Sequence, residues 1–277
     1  MSKKAAVIKG DGVGPELVNS MLRVVEAAGT KVEFITCEAG EGWWKEHGGD
    51  SLIPPETWDI LGKTDAGFKG PTTTPGGAGS PKSVAVSIRQ KFNLYANVRP
   101  IKSFPNTQKP LGDVDFVCVR EGTEGLYFGK EVQLTDDVFI AIRKITRPAQ
   151  QLIKNPQIFN KKVLLSTNLF MDILSEECSA LVGSIGLIYS ANIGDGYAMF
   201  EPAHGSAPKY AGQDKVNPVA TVLAGAWLLD YLGEKENSKA IFDAAEKVIA
   251  EGKYLTYDLG GSAKSSEMVD EIIRKIT

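Results

Sequence analysis

Side chains that bind zinc are scarce in this sequence. Its 277 residues include only two histidines, His47 and His204, and three cysteines. The cysteines lie far apart and form no C-x-x-C pair, so a zinc site is not expected. No block of like charge occurs either, and the net charge of −3 argues against a nucleic-acid partner.

The sequence also lacks a hydrophobic run long enough to cross a bilayer, which takes about 20 residues. The longest apolar stretch covers residues 219–229. The amino-terminal residues MSKKAAVIKG lead directly into a predicted strand, without the apolar segment of a signal peptide. We therefore expect no membrane partner and a reducing, cytoplasmic location.

Short apolar runs alternate with helical patterns along the chain, which is 43% hydrophobic and 23% charged. This alternation predicts an α/β fold with a mostly parallel, helix-covered sheet. The length suffices for two modest domains. The predicted strands are Ala5–Ile8, Val32–Thr36, Ala66–Lys69, Val114–Arg120, Val138–Thr146, Val163–Ser166 and Gly186–Tyr189. The predicted helices are Glu16–Ala28, Lys82–Phe92, Leu169–Val182, Val219–Leu232, Ser238–Glu251 and Ser266–Ile276.

Residues 9–17, KGDGVGPEL, place a glycine-rich turn between a predicted strand and a predicted helix, as a dinucleotide-binding fingerprint does. The glycines follow the spacing G-x-G-x-G, whereas the fingerprint is G-x-G-x-x-G with an acidic residue about 20 positions later. Pro15 also removes a backbone donor that a pyrophosphate would use. The stretch therefore favours a tight strand-to-helix connection over a phosphate site.

Charged side chains suggest a site for anions and a metal. Asp172 and Glu176 stand four residues apart in a predicted helix, so both carboxylates share one face. Such a pair suits Mg²⁺ or Mn²⁺, but spacing alone favours a solvated acidic edge. Arg89, Arg99 and Arg120 carry guanidinium groups that match carboxylates bidentately. Arg120 also follows an apolar strand, at the end where α/β ligand crevices open.

Three glycine-containing stretches are of interest for binding or catalysis. The first, PTTTPGGAGSPKS at residues 71–83, is the one loop suited to approach a ligand. The second, residues 200–218, contains Lys209 and Tyr210, which can hold a phosphate by charge and hydroxyl. The third, EGTEGLYFGKE, contains Tyr127, which can act as a general acid or simply pack.

Taken in order, seven stretches give the chain a resemblance to the β-decarboxylating dehydrogenases, the isocitrate and isopropylmalate dehydrogenase family. They are KGDGVGPEL, KGPTTTPGG, LYANVRP, REGTEGLYFGKE, NLFMDILSEE, SANIGDGYAMFEPAHGSAPKYAGQDKVNP and LTYDLGGSAKSSEMVDEII. The resemblance implies that family's two-domain α/β fold, which is not a Rossmann fold, with a shortened second domain. It also implies a structural first glycine loop, with the dinucleotide against the carboxy-terminal loops. The implied domains are residues 1–100 with 184–277, and residues 101–183, with the site between them.

The resemblance implies hydride transfer from a 2-hydroxy acid, followed by metal-assisted loss of CO₂. By matched position, Arg89, Arg99 and Arg120 should bind the substrate carboxylates, and Tyr127 should donate a proton after decarboxylation. The implied Mg²⁺ or Mn²⁺ ligands are Asp172 and Glu176, and the implied cofactor contacts are Thr73, Thr74, Glu201, His204, Gly205, Ala207, Lys209, Tyr210, Asn217 and Asp258.

Within the family, individual positions bear on substrate and cofactor. Ser83 resembles the isocitrate-type serine, because the isopropylmalate type needs an apolar pocket there, although Ala85 departs from the expected asparagine. Lys209 and Tyr210 resemble the NADP-type pair, although Gly261 stands where an arginine often completes the 2′-phosphate site. The resemblance thus implies NADP-dependent oxidation of isocitrate to 2-oxoglutarate. NAD, and isopropylmalate or homoisocitrate as substrate, are the alternatives.

Between RKITRPA and QLIKNPQ the family carries several dozen residues that are absent here, with the join near 149–151. They include a catalytic lysine, the dimer clasp and a third metal aspartate; Lys154 matches a later lysine instead. A homodimer is expected, but these groups normally reach across the dimer, so a second copy of this chain does not restore them. The chain is then an enzyme with a compromised site, a non-catalytic ligand-binding relative, or a shortened version of a longer chain.

Overall fold

The computed structural model of the chain describes residues 2–77, 80–123, 131–135, 138–141 and 162–276. None of the described helices is both long and apolar enough to cross a membrane. The strands are β1 (Lys4–Ile8), β2 (Glu33–Cys37), β3 (Ala66–Lys69), β4 (Ala96–Lys102), β5 (Asp115–Glu121), β6 (Glu131–Thr135), β7 (Val138–Ala141), β8 (Lys162–Ser166), β9 (Tyr189–Ile193) and β10 (Ala198–Pro202). The helices are α1 (Gly14–Ala27), α2 (Glu41–His47), α3 (Pro55–Gly62), α4 (Val84–Lys91), α5 (Asn168–Glu177), α6 (Ser179–Val182), α7 (Val219–Tyr231), α8 (Lys235–Glu251) and α9 (Ser265–Ile276).

The large sheet is mixed rather than mostly parallel, which corrects the sequence-based prediction. Its strand order is β2-β1-β3-β10-β9-β4-β5-β8. The strands β10, β9, β4 and β5 pair antiparallel, and the strands on either side of them pair parallel. Only residues 194–197 join β9 to β10, a connection too short for the crossover that parallel strands require.

Three local predictions are wrong at the centre of this sheet. The predicted strands omit β4, in which Asn97 and Arg99 alternate with apolar residues instead of forming a continuous apolar run, and they also omit β10. Residues 186–189 are predicted as a strand, but Ile185–Leu187 form a 3₁₀ turn and β9 begins only at Tyr189. The errors at β4 and at residues 186–189 concern polar or glycine-containing segments whose pairing partners are distant in sequence.

Strand β1 shows why helices cover the sheet on both faces. Ala5 and Val7 belong to one buried cluster, together with residues of α1 and α7, whereas Ala6 and Ile8 belong to a second cluster with residues of α3 and α4. A strand that is buried on both faces has a continuous apolar sequence. Helix α7 is likewise buried around most of its circumference, which accounts for its unbroken apolar run.

The proposed domain boundary at residue 100 falls inside a continuous sheet. Strand β4 pairs with β9 on one side and with β5 on the other. A separate two-stranded sheet, β6 with β7, belongs to the proposed small domain. The division into residues 1–100 with 184–277 and residues 101–183 stays a prediction, and the join near 149–151 lies outside the described residues.

The first glycine loop packs directly against two other backbone segments. Asp11 N donates to the Pro71 carbonyl oxygen at 2.8 Å, and Val13 N donates to the Ser206 carbonyl oxygen at 2.9 Å. A Cβ on Gly12, at a φ of 59°, would lie 2.0 Å from the Ser206 oxygen. The loop therefore uses these amides for internal contacts, which agrees with the prediction of a tight strand-to-helix connection.

The carboxylate of Asp11 organises the surroundings of the same loop. It accepts hydrogen bonds from Glu41 N at 3.0 Å and Gly42 N at 2.9 Å, in the first turn of α2. It also accepts one from Thr73 N at 2.8 Å. An anion at a helix amino terminus satisfies donors that have no partner within the helix. Asp11 thus connects the glycine loop, α2 and the loop after β3.

We expect Gly12→Ala to destabilise the fold more than Gly29→Ala. Both glycines have positive φ, but an added Cβ at Gly29 meets nothing within 4 Å. Gly29→Ala should therefore lower the free energy of unfolding only by the penalty for a left-handed backbone, about 1–2 kcal/mol. Gly12→Ala must also displace the Ser206 carbonyl, which raises the expected cost to about 3 kcal/mol or more. Urea unfolding measures both, and equal losses would show that the close approach is not required.

Candidate active site

A row of buried polar side chains crosses the centre of the large sheet. Asn192, Asn97 and Arg120 lie opposite one another on the neighbouring strands β9, β4 and β5. Asn97 donates its Nδ2 to Asn192 Oδ1 at 2.9 Å, and its Oδ1 accepts from Arg99 Nε at 2.8 Å. Asn97 and Arg99 are two residues apart in one strand, so they face the same side. The hydrogen bonds between these groups offset the cost of burying them.

At one end of this row, two cations hold a buried carboxylate. Lys69 Nζ lies 2.8 Å from Glu201 Oε2, and Arg89 Nη2 lies 3.3 Å from Glu201 Oε1. Asn192 joins them by donating to Glu201 Oε1 at 2.7 Å and accepting from Arg89 Nε at 2.7 Å. None of the four residues is more than 6% exposed. The structure thus brings the predicted residues Arg89 and Glu201 together.

The charge of Glu201 depends on its cationic neighbours. Burial alone would raise the pKa of this carboxyl, because burial penalises the ionised form. The charges of Lys69 and Arg89 outweigh that effect and lower the pKa of Glu201 to about 2. Glu201 is therefore ionised at neutral pH and neutralises part of the positive charge at the carboxyl ends of β3 and β10.

At the other end of the row, two arginines bind one aspartate. Arg99 Nη2 donates to Asp172 Oδ1 at 3.0 Å, and Arg120 Nη1 donates to the same oxygen. Arg99 Nη1 also donates to Ser175 Oγ at 2.8 Å, and Arg120 Nε donates to Asn168 Oδ1 at 2.9 Å. Both arginines are 5% exposed. Their guanidinium groups already bind a carboxylate here, the side chain of the predicted metal ligand Asp172.

The predicted metal pair is not completed by the described residues. Glu176 is exposed and lines a neighbouring cleft, while the Asp172 carboxylate contacts the arginines. Carboxylate oxygens suit Mg²⁺ or Mn²⁺. However, no group of three or more His, Cys, Asp or Glu side chains in the described part of the chain is arranged to hold a metal.

A cleft of about 620 Å³ opens beside the polar row and contains many of the predicted cofactor residues. His204 Nδ1 lies 3.0 Å from the Gly205 carbonyl oxygen, and its buried Nε2 has no hydrogen-bond partner among the described residues. Burial lowers the pKa of His204, so the ring is neutral. With Nδ1 donating to Gly205, the Nε2 atom carries the free lone pair and is a hydrogen-bond acceptor. The lining residues are Glu176, Ser179, Ser184, Ile185, Gly186, Ala203, His204, Gly205, Ala207, Tyr210, Val216, Asn217, Tyr257 and Asp258.

Hydrogen bonds fix the carboxylate of Asp258 at the wall of this cleft. Its Oδ2 accepts from Ser184 Oγ at 2.5 Å and from Asn217 Nδ2 at 2.9 Å, and its Oδ1 accepts from Thr256 Oγ1 at 2.6 Å. Asn217 Oδ1 in turn accepts from Val219 N at 3.0 Å, at the start of α7. The structure thus joins the predicted residues Asn217 and Asp258 in one preorganised network.

Two loops that are distant in sequence meet next to the cleft residues Gly205 and Ala207. Thr73 Oγ1 and Ser206 Oγ lie 2.7 Å apart. Thr74, next along the chain, is exposed, and Ala207 has a left-handed φ of 38°. The convergence of the PTTTPGG and HGSAPKY loops agrees with a shared binding site for their residues.

The predicted phosphate pair lies at the outer end of the cleft. Lys209 Nζ is 4.8 Å from the centroid of the Tyr210 ring. A hydrogen bond from Lys209 lowers the pKa of the Tyr210 hydroxyl. The rings of Tyr210 and Tyr257 are 6.2 Å apart. The three side chains present an ammonium and two hydroxyls at one edge of the cleft.

Other predicted residues stand apart from these contacts. The Ser83 hydroxyl accepts a hydrogen bond from Val86 N at 3.2 Å and so caps the start of α4. Tyr127 lies outside the described residues. The sequence analysis missed Lys69, Asn97 and Asn192, together with Asn168. A signal was present for Asn97, since polar residues alternate with apolar ones in ANVRP.

The chain is similar to proteins of known family over nearly its whole length. The family model described as isocitrate/isopropylmalate dehydrogenase matches residues 4–149 and 135–272. A 3-isopropylmalate dehydrogenase of Methanothermobacter thermautotrophicus is 35% identical, covering 99% of each chain. An NADP isocitrate dehydrogenase of Thermus thermophilus is 34% identical, covering 99% of this chain and 68% of the other. The crystal structure of isocitrate dehydrogenase from Methylococcus capsulatus matches with a TM-score of 0.87 and 32% identity, covering 99% of both chains.

These similarities also confirm that an internal segment is missing. The alignment with the Methanothermobacter protein extends over 337 positions, whereas this chain has 277 residues. Since 99% of both chains is covered, the additional residues of the relative lie inside the alignment rather than at its ends. The two stretches matched by the family model overlap over residues 135–149, close to the join predicted from the motifs.

We expect the free energy of unfolding to depend less on pH in the acid range for Glu201→Gln than for the wild type. Because the pKa of Glu201 falls from an ordinary 4.5 to about 2 in the folded protein, its contribution is present above pH 4.5 and is lost as the pH falls towards 2. At pH 7 the variant's free energy of unfolding should be lower by about 3 kcal/mol, because Lys69 and Arg89 lose their anion. Denaturant unfolding between pH 2 and pH 7 measures both effects.

Glu33→Gln is the matched control, since Glu33 pairs with Lys4 at the surface. Such an exposed pair contributes about 1 kcal/mol or less. Parallel pH profiles for wild type and Glu201→Gln would contradict the assigned ionisation of Glu201.

Proposed function

The chain belongs to the isocitrate/isopropylmalate dehydrogenase family, and on that premise we propose that it binds isocitrate and NADP for oxidative decarboxylation to 2-oxoglutarate. One observation carries the proposal. Helix α5 places Asp172 in the arginine cluster and Glu176, one turn later, at the wall of the cleft. A turn of helix rises about 5.4 Å. A set of anion-binding cations therefore adjoins a cleft of the size that a nucleotide requires.

The arginine cluster supports a substrate with several carboxylates. Arg99 and Arg120 already hold the Asp172 carboxylate, which shows the geometry in which they bind such a group. Arg89 supplies a third guanidinium at the other end of the polar row. A substrate carboxylate that takes the place of Asp172 would leave this aspartate available to a cation. We assign the arginines to orientation of the substrate.

The cleft supports a dinucleotide with its adenosine end at Tyr210 and its nicotinamide near Thr73 and Thr74. The unpartnered His204 Nε2 and the fixed carboxylate of Asp258 are polar groups that such a ligand needs. When bound, NADP accepts the hydride and a divalent cation stabilises the enolate that follows loss of CO₂. We assign the proton donor role to Tyr127.

A non-catalytic, ligand-binding relative is the second candidate. It is favoured by the incomplete set of carboxylates in the described part of the chain.

The substrate is a separate question. Relatives of nearly equal similarity are named for isopropylmalate and for isocitrate, so similarity alone does not decide between these two substrates. We favour isocitrate because Ser83 places a hydroxyl at the start of α4, the helix that carries Arg89.

We also propose that the protein is a homodimer in a reducing, cytoplasmic setting. The exposed face of α5 carries Phe170, Ile173 and Leu174, which are 62%, 54% and 44% exposed. Strand β8 next to it exposes the apolar residues 163–165. An apolar patch of this kind is typical of a protein interface. All three cysteines are buried as free thiols, as expected where no oxidant forms disulfides.

We expect the double variant Lys209→Asp, Tyr210→Ile to weaken the binding of NADPH far more than that of NADH. The cofactors differ only in the 2′-phosphate, which the ammonium and hydroxyl would bind. The loss for NADPH should be about 100-fold, since hydrogen bonds to charged groups contribute about 1.5–3 kcal/mol each. Fluorescence titration of each reduced dinucleotide gives the dissociation constants. Equal losses for both would show that the pair does not recognise the phosphate.

We expect isocitrate to bind in the presence of Mg²⁺ while its oxidation is slow or absent. The three arginines are in place, but the segment that supplies a base and a third carboxylate in relatives is missing. Loss of a general base costs about 10²–10⁴-fold in rate. Calorimetry measures binding and NADPH absorbance measures turnover. Insertion of the missing segment from a relative should restore the rate.

Arg99→Gln tests the same assignment and should weaken the binding of isocitrate by about tenfold or more. Arg23→Gln is the matched control, because Arg23 forms an exposed pair with Asp270 far from the polar row. Full turnover by the unmodified 277-residue chain would contradict the account and would assign the lost role to another residue, such as Lys130.

A further inference from the structure

A continuous chain of hydrogen bonds joins the two ends of the polar row. Arg99 Nε donates to Asn97 Oδ1 at 2.8 Å, and Asn97 Nδ2 donates to Asn192 Oδ1 at 2.9 Å. Asn192 Nδ2 then donates to Glu201 Oε1 at 2.7 Å. The chain therefore begins at a guanidinium of the arginine cluster and ends at the carboxylate that Arg89 binds.

The two charged ends of this chain permit only one orientation of both amides. A guanidinium only donates hydrogen bonds, and an ionised carboxylate only accepts them. The atom of Asn97 that faces Arg99 must therefore be the oxygen, which turns its nitrogen towards Asn192. The atom of Asn192 that faces this nitrogen must in turn be its oxygen, which leaves its own nitrogen for Glu201. The hydrogen-bond partners thus assign the oxygen and nitrogen of both amides without ambiguity.

Asn192 extends this constraint to Arg89. Its Oδ1 atom accepts from Arg89 Nε at 2.7 Å as well as from Asn97. If the Asn192 amide turned over, a nitrogen would face Arg89 Nε and an oxygen would face Glu201 Oε1, so both contacts would become repulsive. Asn97 opposes this turn, because its Nδ2 atom donates to the Asn192 oxygen. One side chain therefore holds Arg99 directly and Arg89 through a neighbour, although these arginines belong to opposite ends of the row.

The burial of Asn97 determines how it can affect a ligand. The side chain is fully buried in strand β4, and it does not line the cleft. A ligand that reaches the arginines in this arrangement does not touch Asn97. Burying an amide is unfavourable unless its hydrogen bonds are made, so the contacts with Arg99 and Asn192 account for its presence here. Any effect of Asn97 on binding therefore acts through the arginines.

We propose that Asn97 is a positioning residue, which orients Arg99 directly and Arg89 through Asn192 for a ligand with several carboxylates. Guanidinium groups that are already held in place bind such a ligand more tightly, because their side chains do not have to be ordered during binding. The inference rests on the proposed binding of isocitrate. It goes beyond that proposal by naming a residue that the binding needs and that the ligand does not contact.

Calorimetry of the full chain with isocitrate and Mg²⁺ tests the proposal without any need for turnover. Asn97→Ala should weaken the binding of isocitrate by about tenfold. In the Arg89→Gln background, and also in the Arg99→Gln background, the same substitution should weaken it by only about threefold, because one of the two groups that Asn97 positions is already lost. An equal tenfold loss in all three backgrounds would overturn the proposal, since Asn97 would then act independently of the arginines.

Nuclear magnetic resonance of the arginine Nε–H groups gives a second readout, which a general loss of stability does not reproduce. Asn97→Ala should shift the signals of both Arg99 and Arg89, although Asn97 donates to Asn192 and not to Arg89 itself. The signal of Arg23, in its exposed pair with Asp270, should stay unchanged. An unchanged Arg89 signal would show that Asn192 does not transmit the effect of Asn97.

Asn19→Ala is the matched control, since Asn19 is exposed on α1 and its loss should change neither the affinity nor the signals. Asn97→Thr, whose side chain suits a strand, also lacks the amide and should give the same losses if Asn97→Ala does not fold. If wild type binds isocitrate and the folded Asn97 variants bind it equally well, the role of Asn97 is wrong while the proposed function stands. If wild type does not bind isocitrate, the proposed function is wrong and the inference fails with it.

Discussion

The carbonyl oxygens of Pro71 and Ser206 lie so close to Gly10 and Gly12 that a Cβ at either glycine would be about 2 Å from one of them. This contact joins the end of β1 to two loops that are more than a hundred residues apart. The Asp11 carboxylate extends the connection to Thr73 and to α2. The candidate cofactor cleft depends on this backbone packing, because it fixes the loops before any ligand is present.

The polar row across the sheet depends on the antiparallel centre of the fold. Register between β9, β4 and β5 sets Asn192, Asn97 and Arg120 side by side. A slip by one residue would turn each of them to the opposite face. Burying a charged side chain is unfavourable unless it is paired, so any other register, which would break these pairs, is disfavoured. In this way the same contacts that orient the arginines favour a single pairing of the strands.

Much of this arrangement is predictable from the sequence, and the remainder depends on contacts between distant residues. The ordered motifs predict the family and the fold, and the apolar run at 219–229 predicts the central helix α7. The glycine spacing predicts that KGDGVGPEL is structural. Lys69 is not predicted because it is a single polar residue at the end of an apolar strand, and Asn192 is not predicted because it lies in the mixed polar and apolar sequence YSANI. Their pairing with Glu201 arises only when β3, β10 and β9 become neighbours.

The central claim is that the dinucleotide binds in the cleft lined by His204, Tyr210 and Asp258, and that the first glycine loop serves only to hold that cleft together. A crystal structure of the chain with bound NADP tests it most directly. The account predicts the adenosine between Tyr210 and Asp258, with the nicotinamide near Thr73. Pyrophosphate oxygens on the amides of residues 10–14, with the Pro71 and Ser206 contacts broken, would contradict it.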